Sequence, residues 1–159
     1  MLSTSKMVLP PLPSAELQQR VRLIAESYTR LLGTPLVAED SDNSWQTLWS
    51  APKVIVAHGT EADPVFFYGN ALALSVFEMD FATFTQLPSR YSAEPLLREE
   101  RATLLERVSR DGYIDNYAGV RIASSGKRFL IEQAVVWNLQ DDKGQLQGQA
   151  AAFDRWTPL

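Results

Sequence analysis

The sequence contains no cysteine and only one histidine, His58. Without cysteine the chain cannot form a disulfide, a thiolate nucleophile, an iron–sulfur cluster or a cysteine-ligated zinc site. One histidine among scattered carboxylates also lacks the clustered spacing of zinc and iron sites. We therefore predict no metal site and no cysteine-dependent chemistry.

The sequence also lacks a concentrated positive charge and a long apolar run. It has 15 basic and 19 acidic residues, a net charge of -4, and its basic residues are spread along the chain. Nucleic-acid binding needs a basic surface, so this distribution argues against it. No apolar stretch approaches the roughly 20 residues that cross a bilayer, and none of signal-peptide length precedes Pro10, Pro11 and Pro13. We expect a cytoplasmic protein with neither a membrane nor a nucleic-acid partner.

What the sequence does contain is enough apolar residues for one packed domain. Its 159 residues are 45% hydrophobic, which fits a single domain. The pattern divides the chain into a flexible lead-in over 1–13, helices over 14–52 and a core over 53–159. We expect these segments to form one structural domain.

The first helix is predicted to begin after Ser14, which can cap it, and to end at Gly33. Its apolar residues recur every three or four positions and are Leu17, Val21, Ile24, Tyr28 and Leu31. A single helix of this length is marginal in water, so this stripe must pack on the protein's own sheet, on a second copy, or on both. We predict a homodimer through this helix.

The order of the elements indicates an α+β fold. Two strands, KVIVAHG and PVFFYG, come first. Asn70 is placed to cap the short helix NALALSVF, and Gly69 to permit the change of direction. Asp80 is placed to cap another short helix, after which a longer helix and three strands joined by SSGK and DDKG follow. One antiparallel sheet with helices over one face satisfies this order.

Several segments together resemble the MEKHLA domain, a PAS-like family. They are AHGTEADPVFFYGN, LPSRYSAEP, REER, GYIDNYAGVRIASSGKRFLIE, VWNL and GQAAAF, within a resemblance from Leu17 to Trp156. The resemblance implies a PAS-like, five-stranded antiparallel sheet with short helices on one face and an N-terminal helical extension. The family occurs as small stand-alone bacterial proteins, which this chain resembles, and at the C-terminus of plant homeodomain–leucine-zipper proteins of the third class. No DNA-binding role carries over.

The resemblance implies a sensory or regulatory module that binds a small molecule or a partner protein and catalyses no reaction. It names neither a ligand nor a cofactor, and the flavin-linked cysteine of photosensory PAS domains is absent. We expect an apolar cavity between the three-stranded meander and the short helices, with room left by Ala150 and Ala152. The predicted lining is Phe77, Phe81, Tyr91, Ile131 and Trp137.

The segment SRYSAE, residues 89–94, supports two interpretations. Arg90 offers a planar fork for a carboxylate or phosphate and Tyr91 adds a hydroxyl, so the pair would select an anionic ligand at the mouth of the cavity. Alternatively, the segment caps the following helix through Ser92. Glu94 is placed to counter Arg90 or Arg98.

Strict alternation would divide the middle strand of the meander into two faces. One face would carry Phe129, Ile131, Gln133, Val135 and Trp137. The other, outer face would carry Leu130, Ala134 and Val136. Gln133, and Gln149 in the last strand, are amides among apolar or small residues, so each either bonds internally or contacts a ligand.

The first strand of the meander places Tyr113, Tyr117 and Arg121 at alternate positions, which predicts that they share a face. Arg121 is expected to pair with Glu132 or Asp115. We interpret these residues as structural.

His58 supports an alternative function, a small α+β enzyme of the cone type. It would act as general base, assisted by Tyr91 or Asp115, because its unperturbed pKa lies near neutrality. The competing interpretation is a turn histidine bonded to Thr60, Glu61 or Asp63. We favour the latter because no nucleophile motif accompanies His58.

Overall fold

The computed structural model describes residues 14–37, 45–94 and 98–159. The lead-in predicted over 1–13 lies outside the described residues. The helices are α1 (Ala15–Leu32), α2 (Trp45–Trp49), α3 (Ala71–Phe77), α4 (Phe81–Phe84) and α5 (Arg98–Asp111), with a 3₁₀ turn over Ser89–Ser92. The strands are β1 (Val54–His58), β2 (Phe66–Gly69), β3 (Tyr113–Ile122), β4 (Arg128–Gln140), β5 (Leu146–Phe153) and β6 (Arg155–Pro158).

The strands form one antiparallel sheet in the order β2-β1-β5-β4-β3, and β6 pairs with β4 beyond the end of β5. β4 is long enough to hold both partners, because residues 135–140 pair with β5 and residues 129–132 pair with β6. The predicted five-stranded antiparallel sheet with short helices is confirmed. The additional strand, β6, was not predicted as a strand of its own and is separated from β5 by Asp154.

The two faces of the sheet are covered by different helices. Val136 and Trp137 are neighbours in β4 and therefore point to opposite faces. Val136 packs with Val108 of α5 on what we call the inner face. On the other, outer face, the Nε1 of Trp137 donates to the carbonyl of Ile24 in α1 at 3.1 Å, and its ring meets Tyr28 edge-on at 4.9 Å.

The N-terminal helix α1 has the predicted ends and packs on the sheet of its own chain. Ser14 Oγ accepts a hydrogen bond from the Leu17 N–H at 3.1 Å, and Gly33 closes the helix in the left-handed conformation with φ 79°. Val21 and Ile24 of the apolar stripe are fully buried. Within residues 14–37, 45–94 and 98–159, no helix combines the length and the apolar character needed to cross a membrane.

A β-bulge at Gln133 interrupts the alternation of β4. Gln133 has φ 55°, in the left-handed region that residues with a side chain rarely adopt. The register with β3 shifts at this point, since Gly119 pairs with Ile131 but Tyr117 pairs with Ala134. One extra residue of β4 is therefore accommodated between the two pairs.

The bulge overturns the predicted division of β4 into faces. Ile131 lies on the inner face before the bulge, and Ala134 and Val136 lie on the same face after it. Trp137 lies on the outer face under α1. The grouping of Ile131 with Trp137, and of Ala134 and Val136 with the outer face, is therefore wrong, because strict alternation assumes that no residue is inserted.

The junction between β2 and α3 is held by a fully buried side chain, Asn70. Its Oδ1 accepts from the N–H groups of Ala73 at 3.0 Å and Ile55 at 3.1 Å. Its Nδ2 donates to the carbonyls of Leu48 at 3.0 Å and Lys53 at 2.8 Å. The predicted helix cap is confirmed, and the same amide also joins α2 and β1 to the junction.

Gly69, the residue before this cap, is required for space rather than for a left-handed backbone. A Cβ at this position would lie 2.6 Å from the ring of Phe84, which stacks on Phe66 with ring centroids 4.3 Å apart. Gly69 is not among the glycines with positive φ. Gly69 is therefore needed because α4 approaches β2 closely, and not, as predicted, because the chain changes direction there.

Candidate functional site

A cleft of about 710 Å³ lies between the inner face of the sheet, the 3₁₀ turn, α3 and α5. This volume is within the usual range of small-molecule sites. Its apolar lining includes Val56, Phe66, Phe77, Ile131, Val136, Ala151 and Phe153. Its polar lining includes His58, Ser89, Arg90, Ser92, Glu94, Arg121 and Gln149. The cleft thus combines an apolar floor with polar groups that could orient a ligand.

The structure brings most of the predicted ligand residues together. Those that line the cleft are Phe77, Arg90, Tyr91, Ile131 and Gln149. Trp137 lies on the outer face, and Gln133 is exposed at the bulge, so neither side chain reaches the cleft. Of the two alanines expected to leave room, Ala150 lines the cleft and Ala152 does not.

Phe81, the remaining predicted residue, belongs to a separate aromatic cluster at the junction of α2, α4 and β2. Its ring lies 6.0 Å from Trp49 and 6.4 Å from Tyr68. Tyr68 is fully buried, and its hydroxyl has no hydrogen-bond partner in the part of the chain that the structure describes. Burial raises the pKa of Tyr68 well above its ordinary value. Phe81 therefore contributes to packing here and not to the cleft.

Arg90, at the rim of the cleft, is paired with a carboxylate of the protein. Its Nε lies 3.1 Å from Asp63 Oδ1 in the turn between β1 and β2. Its guanidinium carbon lies 4.2 Å from the ring centroid of Tyr91, which is 55% exposed. The hydrogen bond that Arg90 donates to Asp63 raises the pKa of Arg90. Arg90 thus ties the 3₁₀ turn to the β1–β2 turn.

Glu94, on the same rim, pairs with Arg128 rather than with the predicted Arg90. Ser92 donates its hydroxyl hydrogen to the carbonyl of Ser89 at 2.7 Å. That bond closes the 3₁₀ turn. The residues that follow Glu94, over 95–97, lie outside the described residues, so the proposed capping of the next helix is not tested there.

A row of polar side chains crosses the sheet at one end of the cleft. His58 of β1 pairs with Gln149 of β5, which in turn pairs with Asn138 of β4, so the three share the inner face. Gln149 Nε2 donates to Asn138 Oδ1 at 3.3 Å, and Asn138 Nδ2 donates to the carbonyl of Val108 in α5 at 3.2 Å. The Nε2 of Gln149 therefore bonds internally, as one of the two interpretations predicted. Gln149 also lines the cleft.

His58 bonds to a backbone group, although not to the partners that the sequence suggested. Its Nδ1 lies 2.9 Å from the carbonyl of Gly59. Because a carbonyl only accepts, Nδ1 carries a hydrogen, so that in the neutral form of the ring Nε2 is an acceptor. Its role as general base in an enzyme stays a prediction without a test.

Asn138 was not predicted, and the reason is again the bulge. Counted from the start of β4, its position falls on the same face as Leu130, which lies on the outer side. Counted from Val136, it falls on the inner face beside Gln149. The sequence carries no signal for the inner-face position of Asn138, because strict alternation places Val136, two residues earlier, on the outer face as well.

Tyr117 and Arg121, which were predicted to be structural, form a shelf on β3 together with Gly119. Their partners on β4 are the inner-face residues Ala134, Ile131 and Phe129. Tyr113 pairs with Trp137 and lies on the outer face, because a register irregularity separates Ile114 from Tyr117. The prediction that Tyr113 shares a face with Tyr117 and Arg121 is therefore wrong.

Arg121 forms no ion pair with any carboxylate among the described residues. Its Nη1 donates to the carbonyl of Val120 at 3.3 Å, and its guanidinium carbon lies 5.4 Å from the ring centroid of Tyr117. The predicted pairing with Glu132 or Asp115 is thus not formed. This arrangement leaves most of the five N–H donors of the guanidinium without a protein acceptor.

The strand order and the helices over the inner face define a PAS fold. The crystal structure of the PAS domain of a protein from Colwellia psychrerythraea is similar, with a TM-score of 0.59 and 11% identity, covering 72% of this chain and 92% of that chain. An RNA-binding light-oxygen-voltage receptor is similar with a TM-score of 0.55 and 14% identity, covering 67% of this chain and 30% of that one. Identities this low establish the fold alone.

The family is given by the sequence. The MEKHLA domain model matches residues 18–158, so the chain belongs to the MEKHLA domain family, as predicted. Two curated relatives from Arabidopsis thaliana are the homeobox-leucine zipper proteins ATHB-9, 28% identical over 95% of this chain, and ATHB-15, 22% identical over 92%. HOX32 of Oryza sativa subsp. indica, also a homeobox-leucine zipper protein, is 25% identical over 92%. The chain spans 18% of the length of each of these relatives.

Proposed function

We propose that this MEKHLA domain is a sensory or regulatory module that binds a small organic molecule in the inner-face cleft. The observation that carries the proposal is the cleft itself, a space of about 710 Å³ with an apolar floor. Polar groups converge on this floor from separate strands, namely Gln149 from β5, His58 from β1 and Arg121 from β3. Such a combination of apolar surface with few, placed polar groups is typical of ligand sites.

The polar groups of the cleft retain hydrogen-bonding capacity that a ligand would use. In the neutral form of His58 the Nε2 is an acceptor, since Nδ1 donates to the carbonyl of Gly59. Gln149 uses its Nε2 on Asn138, which leaves its carbonyl oxygen. A ligand that satisfies these groups gains orientation as well as affinity, because partly buried polar groups are costly without partners.

The proposal is tested by native mass spectrometry of the purified full chain together with a variant that fills the cleft. Ala151 lies between Val56 and Val136 on the inner face, so Ala151→Leu places a larger side chain in the cleft. We expect the unmodified chain to retain an organic molecule and Ala151→Leu to lose it. Ala118→Leu is the matched control, because Ala118 is exposed on β3. A chain that retains and binds no small molecule, or an Ala151→Leu variant that retains it fully, contradicts the proposal.

Two further expectations belong with this function. A regulatory module can also act by binding a partner protein, and the partner predicted here is a second copy of the chain. This homodimer through α1 stays a prediction. The stripe that motivates the homodimer includes Val21 and Ile24, and both are buried in a single chain. Light scattering of the full chain checks it, and a monomer at every concentration would contradict it.

The cytoplasmic location likewise stays a prediction from the sequence, to be checked by cell fractionation.

A further inference from the structure

The arginines around the cleft differ in one respect, which is whether a carboxylate neutralises them. Arg90 is neutralised by Asp63. Glu94, which also lines the cleft, is neutralised by Arg128. Arg121 has no carboxylate partner among the side chains that the structure describes. The cleft therefore has one uncompensated cation, Arg121, among the lining residues that the structure describes.

The surroundings of Arg121 suit a flat ligand. Gly119 has no side chain, and a Cβ there would lie 2.6 Å from the hydroxyl oxygen of Tyr117, so the glycine leaves room for the Tyr117 ring to lie along the strand. The guanidinium carbon of Arg121 lies over the Tyr117 ring, 5.4 Å from its centroid. On β4, Phe129 pairs with Arg121 and Ile131 pairs with Gly119. The shelf thus offers an aromatic surface and apolar neighbours next to a planar cation.

We propose that the cleft binds an organic carboxylate, with the carboxylate on the guanidinium of Arg121 and an apolar body against Tyr117, Ile131 and Phe77. The inference rests on the proposed small-molecule function and specifies its ligand class. A guanidinium presents paired N–H donors that match the two oxygens of a carboxylate. One unpaired cation balances one negative charge, and the apolar floor disfavours a ligand that is charged throughout.

The test compares two probes of nearly the same shape, 2-naphthoate and the neutral 2-naphthamide, by calorimetric titration of the full chain. We expect naphthoate to bind roughly tenfold more tightly, since a charge-assisted bond contributes about the free energy of a tenfold ratio. Arg121→Gln should remove this preference while naphthamide binds as before, which also shows that the cleft is intact. Arg121→Lys keeps the charge without the fork and should retain a reduced preference.

The matched control is Arg90→Gln, which removes the same charge from the same cleft but from an arginine that Asp63 already neutralises. This variant should keep the preference for naphthoate. Ala151→Leu should weaken both probes, which places them in the cleft rather than in the groove beside Arg20 and Arg30 of α1.

The outcomes separate this inference from the proposed function. Equal binding of the two probes, or a preference that survives Arg121→Gln or is lost in Arg90→Gln, overturns the carboxylate inference and leaves small-molecule binding standing. Binding of either probe that Ala151→Leu does not affect overturns the inference as well, because the anion then lies elsewhere. If neither probe binds and the purified chain retains no molecule, both proposals fail.

Discussion

Asn70 and Asp80 cap neighbouring short helices in the same way but in different surroundings. Each accepts a hydrogen bond from the backbone N–H three residues later, Asn70 from Ala73 and Asp80 from Thr83. Asn70 is fully buried and also serves Ile55 and two carbonyls, whereas Asp80 is exposed. The same capping geometry should therefore contribute very differently to stability.

Replacing Asn70 with alanine should lower the free energy of unfolding by at least about 3 kcal/mol, because it leaves several buried backbone groups without partners. Asp80→Ala removes only an exposed cap and should have a clearly smaller effect. Urea denaturation of both variants measures the difference. Equal losses in the two variants would show that burial of the Asn70 amide does not decide its contribution.

At the scale of the elements, the bulge in β4 determines which side chains reach the cleft. Gln133 occupies the left-handed region with φ 55°, and its side chain is exposed. The inserted residue moves Val136 to the cleft and Trp137 to the side of α1. The fold of the site therefore depends on a single backbone conformation in the middle of the sheet.

Substitutions at Gln133 test this conformation. Gln133→Gly should change stability by less than about 1 kcal/mol, because the relief of the left-handed strain offsets the flexibility of glycine. Gln133→Val should cost about 1–2 kcal/mol, since a β-branched residue tolerates positive φ poorly. Thermal or urea unfolding measures both. A Gln133→Val variant as stable as Gln133→Gly would mean that the bulge does not impose this backbone.

The bulge also marks the limit of what the sequence could predict. The caps at Ser14, Asn70 and Asp80 were predictable because each depends on one side chain and the backbone next to it. Phe77 and Gln149 were placed at the cleft because their strands and helices carry regular patterns. Beyond Gln133, strict alternation assigns the residues of β4 to the wrong faces, because nothing in the sequence indicates that a residue is inserted there.

The ion pairs at the rim were beyond prediction for a different reason. Arg90 and Asp63 are far apart in the sequence and meet only because the β1–β2 turn packs beside the 3₁₀ turn. Whether a carboxylate lies beside Arg121 likewise depends on the tertiary packing and not on the local sequence. The sequence offered Arg90 as one candidate for binding an anion, because the sequence alone does not show which guanidinium a protein carboxylate already occupies.

For the whole molecule, carboxylates with lowered pKa values link stability to pH. Hydrogen bonds from Gln145 and Lys143 lower the pKa of Asp141, and hydrogen bonds from backbone groups, including Val65, lower that of Glu61. A carboxylate with a lower pKa in the folded state stabilises the protein above its unfolded pKa. This contribution is lost as the pH falls through the folded pKa.

We therefore expect stability to fall as the pH decreases below about 4.5, where these groups begin to be protonated in the unfolded chain. Asp141→Asn keeps an oxygen that accepts from the turn but cannot titrate. The difference between its urea unfolding at about pH 7 and about pH 3 should be smaller than in the unmodified chain. The same pH dependence in both proteins would show that Asp141 is not part of this link.

The most direct test of the account as a whole is to locate a bound molecule on the full chain. Nuclear Overhauser contacts between 2-naphthoate and labelled methyl groups distinguish the two sides of the sheet, because Ile131 and Val136 line the cleft whereas Ile24 lies on the side of α1. The account predicts contacts from the probe to Ile131 and Val136 and none to Ile24. A probe that binds with contacts to Ile24, or without contacts to either cleft residue, would contradict the claim that the inner-face cleft is the ligand site.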